Sequence, residues 1–148
     1  MALAEKICLS AAFVFFLTGL LTGIWKYRHM ARTVDATAPV YVDIAHRSSL
    51  MYSFAALLLA AFSARSVFAG WVNTLAAVSA LAFFALAIVT YIIHGILQDT
   101  DNQLRRPHRL GSRNLPSWTT GVFMGLLIAG EVGGALVLGA GAMLGIWG

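Results

Sequence analysis

The chain is short of charge and of cysteine, and each shortage removes a class of protein. Acidic residues number 6 and basic residues 10 in 148, so only 11% of positions are charged. A soluble domain carries about 25%, and a water-facing surface cannot be covered from this composition. The one cysteine, Cys8, excludes an intrachain disulfide framework and a thiolate metal site. It lies inside an apolar run and reads as small lipid-facing or packing bulk. There is no phosphate-cradling glycine loop and no serine nucleophile elbow, because the glycines fall within apolar runs.

What the chain has is apolar length. It is 59% hydrophobic, with a mean hydropathy of +0.80. Apolar runs cover Ile7–Trp25, Ser48–Ala64, Trp71–Leu97 and Leu115–Gly148. Crossing a hydrocarbon core of about 30 Å takes roughly 20 helical residues. The pattern predicts an all-α, integral membrane four-helix bundle, a single transmembrane domain over 1–148 with spans about 7–25, 44–64, 71–97 and 116–146. The first span is expected to be retained rather than cleaved. Its leading segment holds Lys6 offset by Glu5, and the basic segment KYRHMAR follows it.

Four alternating crossings bring all four histidines, His29, His46, His94 and His108, to one rim. Lys26, Arg28, Arg32, Arg47, Arg105, Arg106, Arg109 and Arg113 lie on that side, and only Lys6 and Arg65 on the other. The positive-inside rule therefore puts the histidine rim in the cytoplasm and both termini outside, in a cytoplasmic membrane. The net charge of +4 is the basic excess of retained loops and not a sign of nucleic acid. The loop RRPHR, 105–109, is expected to meet anionic lipid head groups.

Glycines spaced four apart let helices approach closely where lipid offers no hydrophobic drive. Such pairs occur at Gly19/Gly23, Gly121/Gly125, Gly130/Gly134 and Gly141/Gly145. They serve packing within one bundle or a seam between copies, and the density of glycine in the fourth span favours a homo-oligomer.

Polar side chains within spans are costly and are functional candidates by default. His46 opens the second span, with Asp43 one turn before it and Arg47 beside it. A neutral imidazole there can ligate a metal or haem, and the guanidinium can neutralise a propionate. The plainer role for His46 is a hydrogen bond to Asp43. Tyr91 and His94, three apart, share a helix face; Tyr91 can orient an oxygen-bearing ligand or serve as a belt aromatic. Glu131 lies near the middle of the fourth span, where an ionised carboxylate costs roughly 3 kcal/mol. It must be protonated, paired, or turned to a polar pocket, an interhelical hydrogen bond being the plainer of its roles. The segment DTDNQ, 99–103, lacks the glycine and terminal glutamate of a calcium loop.

A segment AEKICLS before the first span, a longish first loop, and the pair AH opening the second span together resemble the styrene oxide isomerase and hydroxylaminobenzene mutase group. Those are small four-span membrane enzymes. The resemblance implies a trimer with haem b at subunit contacts and His46 as the iron ligand. It implies that Tyr91 takes the place of the pocket tyrosine, at the same separation from the ligand histidine. It further implies Lewis-acid isomerisation of a small apolar epoxide, or a related N–O or C–O substrate, reaching the site from lipid. The family's asparagine falls on Tyr52 and its third-span aspartate on Phe83, so both polar partners are replaced by aromatics, which leaves the substrate, and even the reaction, open to differ from the family's.

A second resemblance is to the cytochrome b anchor subunits of succinate dehydrogenase. AHRSS is followed 48 residues later by HGILQD, although Leu50 stands where the signature has glycine. That resemblance also implies haem b, with His94 as ligand, and adds quinone and a partner subunit. Two further readings stand beside these: a haem-free metal site from His94, Glu131 and His29, and a structural subunit that binds neither.

Overall fold

The computed structural model describes all 148 residues as an all-α four-helix bundle. The helices are α1 (Leu3–Met30), α2 (Val40–Arg65), α3 (Gly70–Leu97) and α4 (Thr119–Trp147). All four are long and apolar enough to cross a membrane. At 1.5 Å per residue, 28 residues span about 42 Å, more than a hydrocarbon core needs. Their ends therefore project beyond it, or the helices tilt.

The helices differ from the expected spans at their polar ends, because a charge ends an apolar run without ending a helix. Past Trp25, α1 continues to Met30, and Lys26 pairs with Asp43 of α2 at 2.6 Å. Helix α2 starts at Val40, where the Pro39 carbonyl accepts from the Val42 and Asp43 N–H groups. Helix α4 starts at Thr119 rather than near 116, after a turn in which the Thr119 N–H and hydroxyl both bond the Pro116 carbonyl. Between α3 and α4 the chain makes a small antiparallel hairpin, β1 (Arg109–Leu110) and β2 (Arg113–Asn114), with Arg109 opposite Asn114.

Alanines dominate the buried seam, among them Ala56, Ala60, Ala76, Ala77 and Ala80, closed by Leu59, Leu81 and Leu138. Small side chains let backbones approach, which is where packing energy comes from when lipid is the competing solvent. Cys8 is fully buried in this seam, so it fills space between helices.

The glycine pairs divide between two fates. A β-carbon at Gly134 would strike the Ala76 carbonyl of α3, and one at Gly145 would strike the Arg65 carbonyl of α2. Gly130 and Gly141 are likewise closed off by Phe83 and Ser66. Gly19 and Gly23 of α1 are covered by Leu50 and His46. These three pairs are spent on packing within the chain. Gly121 and Gly125, by contrast, meet nothing, and only this pair is left over for a second copy.

At the end of the bundle that holds the termini, the α2–α3 turn is tied down by polar groups. Ser66 donates to the Asn73 carbonyl oxygen at 2.8 Å, and Asn73 donates to the Phe68 carbonyl at 3.1 Å. The Val67 N–H donates across to the Gly141 carbonyl of α4 at 3.2 Å.

Candidate functional site

The four histidines do lie at one end of the bundle, but they occupy three separate settings. His46 sits in the α1–α2 seam. Its Nδ1 lies 2.8 Å from the Gly19 carbonyl, an oxygen that can only accept, so Nδ1 carries the proton and Nε2 is left as the free nitrogen. The ring lies over Gly23, where a β-carbon would come within 2.9 Å of Cε1. Asp43 does not bond His46. It pairs instead with Lys26 and, at 2.8 Å, with Arg47. Arg47 is otherwise exposed.

Six residues on, Tyr52 lies on a different face of α2 and stacks on Phe84 of α3, with ring centroids 4.4 Å apart. Tyr91 of α3 stacks on Tyr41 of α2 at 6.1 Å. Glu131 of α4 is within electrostatic reach of both Tyr52 and Tyr91. Its Oε1 is buried without a hydrogen-bond partner, so the expected interhelical bond does not satisfy that atom. Tyr52, Tyr91 and Glu131 thus gather on the α2–α3–α4 side, while His46 faces α1.

His94, in the last turn of α3, forms the third setting. Its Nδ1 is 2.7 Å from Asp99 Oδ1, and both side chains are nearly sealed, 6% and 4% exposed. The contact depends on Gln98, which ends α3 in the left-handed region at φ +46° and turns the chain back beneath the histidine. The other oxygen of Asp99 accepts the Gly111 N–H at the hairpin turn. Burial works against charge on Asp99, yet the bonds from His94 and Gly111 prevail and hold its carboxyl below the usual carboxylate range. Tyr41 lies against His94, with ring centroids 5.0 Å apart, and its hydroxyl accepts the Gln103 N–H at 2.6 Å. His108 is buried in the same connection, its Nδ1 3.2 Å from the Gln103 carbonyl.

His94 and His108 share the wall of one cavity of about 260 Å³, closed on the other side by Leu115, Thr119 and Phe123. His46, Tyr52 and Tyr91 do not line it. The grouping of His94, Glu131 and His29 expected as a metal site does not form. His29 packs on Trp25 at the α1 end, His94 is engaged by Asp99, and no three or more His, Cys, Asp or Glu side chains gather to hold an ion.

Sequence reasoning did not single out Asp99 or Tyr41. An acidic residue just past a helix that ends in histidine is a signal for the first, since one turn of chain reversal brings the two together. Tyr41 carried no signal beyond standing five residues before His46. No family model, curated protein or solved structure matches this chain.

Proposed function

We propose that the chain is a haem b-binding membrane isomerase, acting on a small apolar epoxide or a related C–O or N–O substrate, with His46 as the iron ligand. The observation that carries this reading is the state of His46. Its tautomer is fixed by the Gly19 carbonyl, its ring rests on Gly23, and its one free nitrogen is the one an iron would take. A neutral imidazole with one free nitrogen is donor chemistry that would hold iron, and the absence of a β-carbon at Gly23 leaves room for the ring. When bound, the haem supplies a Lewis acid that polarises the substrate oxygen.

The protein's own residues supply the rest. Arg47 offers an exposed guanidinium at the rim for a propionate, while Asp43 keeps it oriented. Tyr91 and Tyr52 offer hydroxyls to the substrate oxygen, and Glu131 brings an unsatisfied acceptor to the same side. Because His46 faces α1 while Tyr52 packs on α3 and Tyr91 on Tyr41 of α2, one chain does not bring them to a common point. A site that unites them takes His46 from one copy and the tyrosines from another, which supports a homo-oligomer, a trimer by the resemblance. The apolar outer faces admit a substrate from lipid. The basic rim favours the cytoplasmic side, with both termini outside.

A visible absorption spectrum of the detergent-purified protein tests the reading. A Soret band in the parent that is lost in His46→Ala is expected, as is a Tyr91→Phe variant that keeps the band and loses epoxide turnover. A parent that stays colourless after haem supplementation overturns the proposal and returns weight to a structural subunit. A reducible six-coordinate spectrum with a co-purifying partner would favour the quinone-linked anchor.

A further inference from the structure

The cavity at the α3–α4 end of the rim is not used by the haem reading, and its walls are specific. Both imidazoles on it have Nδ1 engaged, His94 by a carboxylate and His108 by a carbonyl. Carboxylate and carbonyl oxygens accept, so each Nδ1 donates, and in the neutral imidazole each Nε2 is an acceptor. The buried polar side-chain atoms without a partner are Ser63 Oγ and Glu131 Oε1 alone, so neither Nε2 is sealed off. Two of the three threonine hydroxyls on the wall are spent on their own backbone. Thr90 donates to the Leu86 carbonyl at 2.8 Å and Thr119 to the Pro116 carbonyl at 2.7 Å. The cavity thus presents the two imidazoles at its polar pole, with Thr120, Gln103 and Arg109 also on the wall, and Ile93, Leu110, Leu115 and Phe123 as its apolar lining.

We propose that this cavity binds a small, mostly apolar molecule carrying a hydroxyl, such as a simple phenol, which donates its hydrogen bond to His94 Nε2. Asp99 positions the imidazole by holding Nδ1, as the outer carboxylate of a ligand histidine does. The volume agrees with the class. An engineered apolar cavity of about 150 Å³ takes benzene, so about 260 Å³ accommodates one substituted ring. The place agrees too, since a molecule with an apolar body and one polar tip concentrates at the membrane interface, where α3 ends and α4 begins. Arg109 is exposed on the cavity wall, and the Asp99 carboxylate, bonded to the far side of the imidazole, disfavours an anion in the hydroxyl's place.

The full chain in lipid nanodiscs is titrated with 4-ethylphenol and with its methyl ether, 4-ethylanisole, followed by ligand-observed NMR. The two probes have nearly the same apolar body, and only the phenol donates. The expected result is at least tenfold tighter binding of the phenol, about 1.4 kcal/mol. That preference should vanish in His94→Leu and survive in His46→Ala, which separates this site from the haem reading. Equal affinities for the two probes in the parent overturn the proposal without recourse to any variant. So does a phenol preference that persists in His94→Leu. Tight binding of zinc(II) with none of the phenol would assign the imidazoles to a metal and overturn it as well.

Discussion

The two ends of the bundle are held together by different means. At the end carrying the termini, α4 is seated by shape: Gly134 on the Ala76 carbonyl, Gly145 on the Arg65 carbonyl, and a backbone bond from Val67 to Gly141. At the histidine rim, α1 is tied to α2 through the Lys26–Asp43 pair and the His46–Gly19 hydrogen bond, with Arg47 pairing Asp43 within α2. The α3–α4 connection is tied down through Asp99, Tyr41 and Gln103. There the first glycines of α4, Gly121 and Gly125, touch nothing. Close packing and neutral hydrogen bonds, such as those of Ser66, Asn73 and Val67, are indifferent to pH and salt, whereas ionised groups respond to both. One end of this molecule is built to stay fixed and the other to be sensitive to its surroundings.

The strongest way to break the comparison is to fill the glycines. Gly134→Leu forces a side chain into the α3 backbone and should cost about 3 kcal/mol or more, read as a large fall in the thermal unfolding midpoint in detergent. Gly125→Leu should stay within about 0.5 kcal/mol of the parent. Equal losses at the two positions would erase the distinction between seated and free halves of α4. A Gly125→Leu protein of unchanged stability but smaller size on a calibrated column would give the free pair to a second copy.

Acid sharpens the contrast next. The folded-state carboxyl of Asp99 lies below its ordinary value, so its contribution is complete above an unfolded pKa of about 3.9. It is lost as pH falls through the lower folded value. Hydrogen-exchange protection of the Gly111 amide, which donates to Asp99, should therefore collapse below about pH 4. That of the Val67 amide should persist. Asp99→Asn should remove the pH dependence at Gly111, and a response that is the same at both amides would refute the assignment.

The smallest expected effect is a gain. Gln98 holds φ at +46°, a conformation costing a residue with a β-carbon roughly 1 kcal/mol relative to glycine. Gln98→Gly should raise stability by about that amount while leaving the rim geometry intact. A loss would mean that the glutamine side chain contributes something the backbone does not reveal.

Much of the architecture was legible from apolar length alone, since a hydrocarbon core imposes one solution on a 20-residue apolar run. The histidine rim followed from counting crossings. Helix ends were not legible from hydropathy: the Lys26–Asp43 pair lies outside the apolar run of α1 yet inside the helices. Nor was the fate of each glycine pair, because spacing of four appears the same whether the neighbour belongs to the same chain or to another. The His94–Asp99 contact depends on a single left-handed residue, and nothing about a glutamine announces that conformation. His46 was legible as a residue to watch, but its partner was read as Asp43 and is the Gly19 carbonyl, an acceptor from a different helix that no local pattern displays.

Helix α4 is anchored along its second half and unanchored along its first, and the cavity beside His94 and His108 lies against the unanchored part, at Thr119 and Phe123. A side chain added at Gly121 or Gly125 meets no protein atom, whereas one at Gly134 or Gly145 meets backbone, so the outer face of α4 beside that chamber tolerates substitutions that its second half does not.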